Sequence, residues 1–132
     1  MHPDQLLELV PFARTLGVEL ETAAADEVRA KTAWSPEKCT AAGVMHGGVL
    51  MALADTVGAV CAFLNLPEGA QTTTISSSTT FTRPVRGGDV TAIARPLHAG
   101  RRVIAVQTDL RDDQDRLVAQ VTQTQAVLSA ES

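Results

Sequence analysis

His46-Gly47-Gly48-Val49-Leu50-Met51-Ala52-Leu53-Ala54-Asp55-Thr56-Val57-Gly58-Ala59-Val60-Cys61-Ala62-Phe63-Leu64 is the stretch on which the fold turns. From Val49 to Leu64 the apolar residues fall on nearly every side of a helix, as they do where a helix is buried on most sides. A membrane span needs about 20 apolar residues. This run is shorter, carries Asp55 near its middle and is bounded by Gly47-Gly48 and Pro67. Gly48, Ala52, Ala54, Gly58, Ala59 and Ala62 are small. The expectation is one long core helix from about Gly47 to Leu64, and no membrane partner.

On the N-terminal side, Asp4 to Leu9 reads as a short amphipathic helix with Leu6, Leu7 and Val10 apolar. Gly17–Thr22 and Glu27–Trp34 read as strands joined by a turn around Ala24-Asp26. Val28, Ala30, Thr32 and Trp34 alternate with Glu27, Arg29 and Lys31, a period of two. Ser35–Met45 is a loop. On the C-terminal side, Asn65–Ala70 is a turn region. Thr72–Thr82, Asp89–His98, Arg102–Leu110 and Leu117–Leu128 read as strands, separated by Pro84…Gly87-Gly88, Ala99-Gly100 and the charged turn 111–116. Short connections favour antiparallel pairing. The expected class is α+β, an antiparallel β-sheet wrapped around one long central α-helix.

The 132 residues suit a single domain, 1–132, and 45% are hydrophobic. Aromatics are only 3%, so Ala, Val, Leu and Thr must fill the core. The net charge of −4 argues against nucleic acid, which calls for a basic field. Seven of the nine arginines nevertheless lie between Arg83 and Arg116, enough for a small phosphorylated ligand. Cys39 and Cys61 have no metal spacing and read as free thiols in a reducing compartment. Met1-His2-Pro3-Asp4 lacks the basic start and apolar run of a signal peptide. No metal cluster or glycine-rich nucleotide loop stands in the sequence, so no cofactor is implied.

Between Thr40 and Pro67, His46 and Asp55 are the side chains that titrate near or below neutrality. Each has a bland reading. His46 could make a structural hydrogen bond at the helix start, Asp55 could be a satisfied core carboxylate, and Gly47-Gly48 could serve packing alone. Together they suggest a site. Gly47 and Gly48 open the helix, where unpaired N–H groups and the positive dipole end suit a developing oxyanion. A buried carboxylate sits where something needs it, because burial without a partner is costly. Asp55 is about 12 Å from Gly47 along the axis. One chain's pair cannot act on the same carbonyl, so the spacing calls for two copies, Gly47 of one facing Asp55 of the other.

Gly43-Val44-Met45-His46-Gly47-Gly48, with Leu53-Ala54-Asp55 placing an acid nine residues after the histidine, resembles the signature of the PaaI-type hotdog-fold acyl-CoA thioesterases, among them the 4-hydroxybenzoyl-CoA thioesterase-like enzymes. Thr80-Phe81-Thr82-Arg83-Pro84-Val85-Arg86-Gly87-Gly88-Asp89 is similar to that family's arginine-proline segment, and Gly100-Arg101-Arg102 and Leu117-Val118-Ala119 match further on. The resemblance implies a hotdog fold, a homodimer at least and often a homotetramer, and hydrolysis of acyl-CoA in the cytoplasm. It makes Asp55 the nucleophile or general base, Gly47 the donor to the thioester oxygen and His46 a positioning group. Thr74, with Thr73 next, matches the hydroxyl on the strand after the helix. Thr40 stands where the family commonly has Asn or Gln. Gly48 belongs to the substrate-binding turn, and Arg83, Arg101 and Arg102 are candidates for the phosphates of CoA. A pocket of small apolar residues, with Phe63, Phe81 or Met51, would take the acyl group. The alternatives are an acyl-CoA-binding hotdog protein without turnover, and a hotdog dehydratase, whose His and acid are arranged differently.

Overall fold

The computed structural model describes residues 3–129. Met1 and His2 and residues 130–132 lie outside the described residues, and with them both ends of the expected 1–132 domain and half of the Met1-His2-Pro3-Asp4 leader reading. Helices α1 (Pro3–Glu8) and α2 (Pro11–Leu16) precede strands β1 (Glu19–Ala23) and β2 (Val28–Ala33). The long helix α3 (Gly47–Leu64) follows, and then β3 (Gln71–Phe81), β4 (Asp89–Ala99), β5 (Val103–Arg111) and β6 (Leu117–Leu128). All pairings are antiparallel, in the order β1-β2-β4-β5-β6-β3. The expected α+β architecture, a sheet curled around α3, is what the chain adopts.

Period two explains the strands. In β2 Val28, Ala30 and Thr32 are buried and the residues between them half-buried; in β5 Ile104, Val106, Thr108 and Leu110 point inward. Ala30, Ala92, Ala94 and Ala119 are buried on the sheet side, and Leu50, Leu53, Ala54, Val57 and Cys61 meet them from α3. Small residues on both surfaces let the helix lie close, so a core with few aromatics still packs densely. Burial pushes the Cys61 thiol up to about 11, with the charge of Asp26 adding to the rise. Cys61 is a buried free thiol and Cys39 a half-buried one.

Two expectations change. Pro11–Leu16 forms a helix that the sequence reading passed over, and β1 starts at Glu19 rather than Gly17. The cause is one glycine: Gly17 adopts φ 69° and closes α2, its N–H reaching the Arg14 carbonyl while Val18 N–H reaches Ala13. Pro11 at the start and Gly17 at the end were the available signal.

The helix is also less enclosed than its composition suggested. By composition Gly47–Leu64 could cross a membrane, yet half of it is buried inside the fold as its core helix. The rest forms a stripe. Gly48, Met51, Asp55 and Phe63 are exposed, with Ala52 and Ala59 half-buried between them. These positions recur every three to four residues, so one face of α3 is left bare by its own sheet. Strand β3, at the sheet edge, has nine of its eleven residues exposed.

Candidate active site

The loop before α3 is held from several directions. Trp34 Nε1 donates to the Gly43 carbonyl at 3.0 Å, Lys38 Nζ donates to Thr32 Oγ1 at 2.9 Å, and Met45 N–H reaches the Val85 carbonyl at 2.8 Å. His46 N–H donates to Lys38 at 2.8 Å, which fixes the residue that starts the helix. Its imidazole then caps α3, with Nδ1 accepting from Gly48 N–H at 2.7 Å. That contact is the structural hydrogen bond of the bland reading, and it occupies the Gly48 N–H. The Gly47 N–H has no acceptor among the described residues. Phe81 lies over this turn; a Cβ at Gly47 would stand 3.0 Å from its ring. Thr40, Gly47, Phe81 and Arg83 line one cavity of about 380 Å³. Sequence reasoning had placed Thr40, Gly47 and Arg83 in one site, and the fold brings them together.

Asp55 stands on the bare stripe of α3. It is exposed in the single chain, contrary to the expectation of a buried, unpaired carboxylate, because its own sheet covers only the opposite face of the helix. It also has partners. Thr74 Oγ1 donates to Asp55 Oδ1 at 3.1 Å, and Gln123 Nε2 donates to the same oxygen at 3.0 Å. The buried acid among the described residues is Asp112. Its carboxyl is held below the usual carboxylate range by the Arg116 backbone N–H first, and also by the Arg116 guanidinium and the Gln114 N–H. Asp112 organises the β5–β6 turn.

Beside Asp55 lies a second cavity of about 310 Å³, lined by Leu6, Leu9, Val10 and Phe12 of the N-terminal helices and their link and by Ala52, Thr56, Ala59, Val60 and Phe63 of α3. Of the three larger residues expected in an acyl pocket, Phe63 lines this cavity, Phe81 lines the one at Gly47, and Met51 lines neither. Thr73 lies between Thr72 and Thr74 on β3 and so projects to the opposite face from Asp55. Arg101 and Arg102 sit in the β4–β5 turn, where Val127 N–H meets the Arg102 carbonyl. Arg83 follows the far end of β3, whose span from Gln71 to Phe81 is about 33 Å. One chain therefore does not gather the three arginines around one ligand.

Residues 42–119 match the thioesterase superfamily. The structure of a thioesterase from Haemophilus influenzae aligns with a TM-score of 0.93 at 30% identity, covering 100% of this chain and 94% of that one. A solved Mycobacterium tuberculosis protein that carries the provisional name of an esterase gives 0.89 at 34% identity, over 92% of this chain and 98% of the other. The proofreading thioesterase EntH of Klebsiella pneumoniae is 35% identical over 74 residues, 56% of this chain and 54% of that protein. The chain belongs to the thioesterase superfamily. It is a hotdog-fold thioester hydrolase.

Within this thioesterase fold the sequence reading missed Gln123, Gln125 and Gly58. Both glutamines are 1% exposed. The signal was the phase of β6: Gln123 and Gln125 share the inward face with Val121, where an apolar residue is the default. Gly58 is their counterpart on α3. A Cβ there would overlap the Gln123 side-chain oxygen, so the missing side chain is the slot that lets Gln123 reach Asp55. Gly58→Ala is therefore expected to reverse the usual helix trend. Alanine gains about 1 kcal/mol in a helix interior, but overpacking costs about 1–3 kcal/mol and a lost hydrogen bond to a charged group about 1.5–3 kcal/mol. The net is a loss of roughly 1.5–5 kcal/mol, read as a melting midpoint lower by at least several degrees; a higher midpoint would show that the slot is not filled by Gln123.

Proposed function

We propose that this thioesterase hydrolyses acyl-coenzyme A thioesters at a site shared by two copies of the chain, residues 1–132 acting as one catalytic domain. The observation that carries the reading is the position of Asp55. It lies on the bare stripe of α3, about 12 Å along the helix from the unpaired N–H of Gly47. A reacting centre must lie within roughly 3–3.5 Å of the groups that act on it. A second copy laid against the stripe puts Gly47 of one protomer opposite Asp55 of its partner.

In that arrangement the Gly47 N–H and the helix dipole stabilise charge on the thioester oxygen. Asp55 serves as nucleophile or as general base. By either route water supplies the new oxygen of the acid, the C–S bond breaks, and the CoA sulfur leaves with a proton. His46 holds the turn through its cap, with Gly48 as the capped residue, and Thr74 steadies the carboxylate. Thr40 takes the place of an amide at the mouth of the Gly47 cavity. Arg83 there suits a CoA phosphate, and Arg101 and Arg102 serve from a partner's sheet end. The acyl group occupies the apolar cavity beside Asp55. The uncharged outer residues of β3 and β6 leave a surface for a second dimer, giving a homotetramer in the cytoplasm.

The test is thiol release from a panel of aromatic and aliphatic acyl-CoAs, from acetyl to decanoyl. Expected is turnover that rises with apolar acyl size until the cavity is filled. Binding of every member with no thiol released would favour the non-catalytic acyl-CoA-binding reading, for which Thr40 in place of an amide is the specific support.

A further inference from the structure

Asp55 is the end of a chain of side chains that all point their protons the same way. Thr72 Oγ1 donates to Gln125 Oε1 at 3.1 Å, Gln125 Nε2 donates to Thr74 Oγ1 at 2.8 Å, and Thr74 Oγ1 donates to Asp55 Oδ1 at 3.1 Å. Gln123 Nε2 adds the second donor to Oδ1 at 3.0 Å. The directions follow from chemistry. An ionised carboxylate only accepts, so the Thr74 proton must go to Asp55. The Thr74 oxygen then accepts, and the Gln125 group facing it must be the NH2. Gln123 likewise turns its NH2 to Asp55, and its oxygen is left buried with no donor among the described residues.

An orphaned buried oxygen destabilises the fold, because its water is lost and nothing replaces it. A core position on β6 that accepts this, opposite a glycine kept bare for it, is better explained by the amide's other end. We infer that Gln123 and Gln125 are positioning residues for the thioesterase carboxylate. They tie up Oδ1 and leave Oδ2, which has no donor among the described residues, as the oxygen that reacts. Gln123 acts on Asp55 directly. Gln125 acts through Thr74, by denying the hydroxyl any orientation in which its proton faces away. The inference rests on the reading of Asp55 as the acting carboxylate.

The experiment measures thiol release from the best acyl-CoA of the panel by wild type, Asp55→Asn, Gln123→Met, Gln125→Met and the double variant Asp55→Asn/Gln123→Met. Methionine keeps the length of glutamine and removes the donor. Expected for either glutamine variant is a fall in kcat of at least about tenfold with KM within about twofold. In the double variant the loss of Gln123 should add nothing to the loss of Asp55. Gln125→Met touches no atom of Asp55, so it carries the test if Gln123→Met does not fold. Wild-type kcat in both folded glutamine variants would overturn the relay, and so would full additivity in the double variant. Undiminished turnover by Asp55→Asn would instead remove the carboxylate reading itself.

Discussion

Asp55→Asn is expected to lower kcat for acyl-CoA hydrolysis by about a thousandfold, within the range that losing a general base or nucleophile produces. KM should stay within about threefold and the melting midpoint within about 3 °C. The fold tolerates the change because asparagine is nearly the same size, and its oxygen still accepts from Thr74 and Gln123. Asp55 is also exposed in the chain, so no core packing is lost. What disappears is the charge and the free oxygen. Thiol release by the two proteins side by side reads this directly. An Asp55→Asn enzyme within a few fold of wild type would take Asp55 out of the chemistry and move attention to the cavity at Gly47.

The long helix was legible because it is a local pattern: its ends, Gly47 and Leu64, coincide with the glycine pair and the turn before Pro67. The strands were legible as runs bounded by turn residues, with period two in β2 and β5 and with starts and ends displaced by one or two residues, as at Glu19 and Val103. The site was legible in part. Gly47, Thr40 and Arg83 come together because they flank the same helix start and the end of β3. Thr74, the first choice for the hydroxyl on the strand after the helix, meets Asp55.

What the sequence hid depends on which side of an element faces what. The stripe of α3 around Asp55 is as apolar as the buried side, so composition cannot tell a face covered by the chain's own sheet from one left bare. Asp112 illustrates the converse. It reads as one of several charges in a surface turn, yet it is 9% exposed and held by three hydrogen bonds from Gln114 and Arg116. Gln123 and Gln125 reveal themselves only once the phase of β6 is set against its neighbours. The three arginines were grouped by charge alone, and the sheet separates Arg101 and Arg102 from Arg83.

The second large effect concerns the shared site. Gly47→Val is expected to reduce turnover below about one per cent, because even a Cβ would stand 3.0 Å from the Phe81 ring and the added methyls displace either the ring or the helix start. Asp55→Asn should be equally poor. Mixed and allowed to exchange subunits, the two inactive proteins should recover activity. A mixed dimer holds one intact pair, Gly47 from the Asp55→Asn chain and Asp55 from the Gly47→Val chain. With equal amounts, about half the dimers are mixed and each has one working site of two, so recovery of about a quarter of wild-type activity follows from two-fold symmetry. Native mass spectrometry establishes that mixed dimers have formed. If they form and activity stays at the level of the separate variants, each chain carries its own complete site. The helix argues against that outcome. About 12 Å of rise separates the two residues on one rod, and no rotamer of Asp55 closes that gap. In the proposed dimer a second rod, lying on the stripe that the first leaves bare, supplies the missing half.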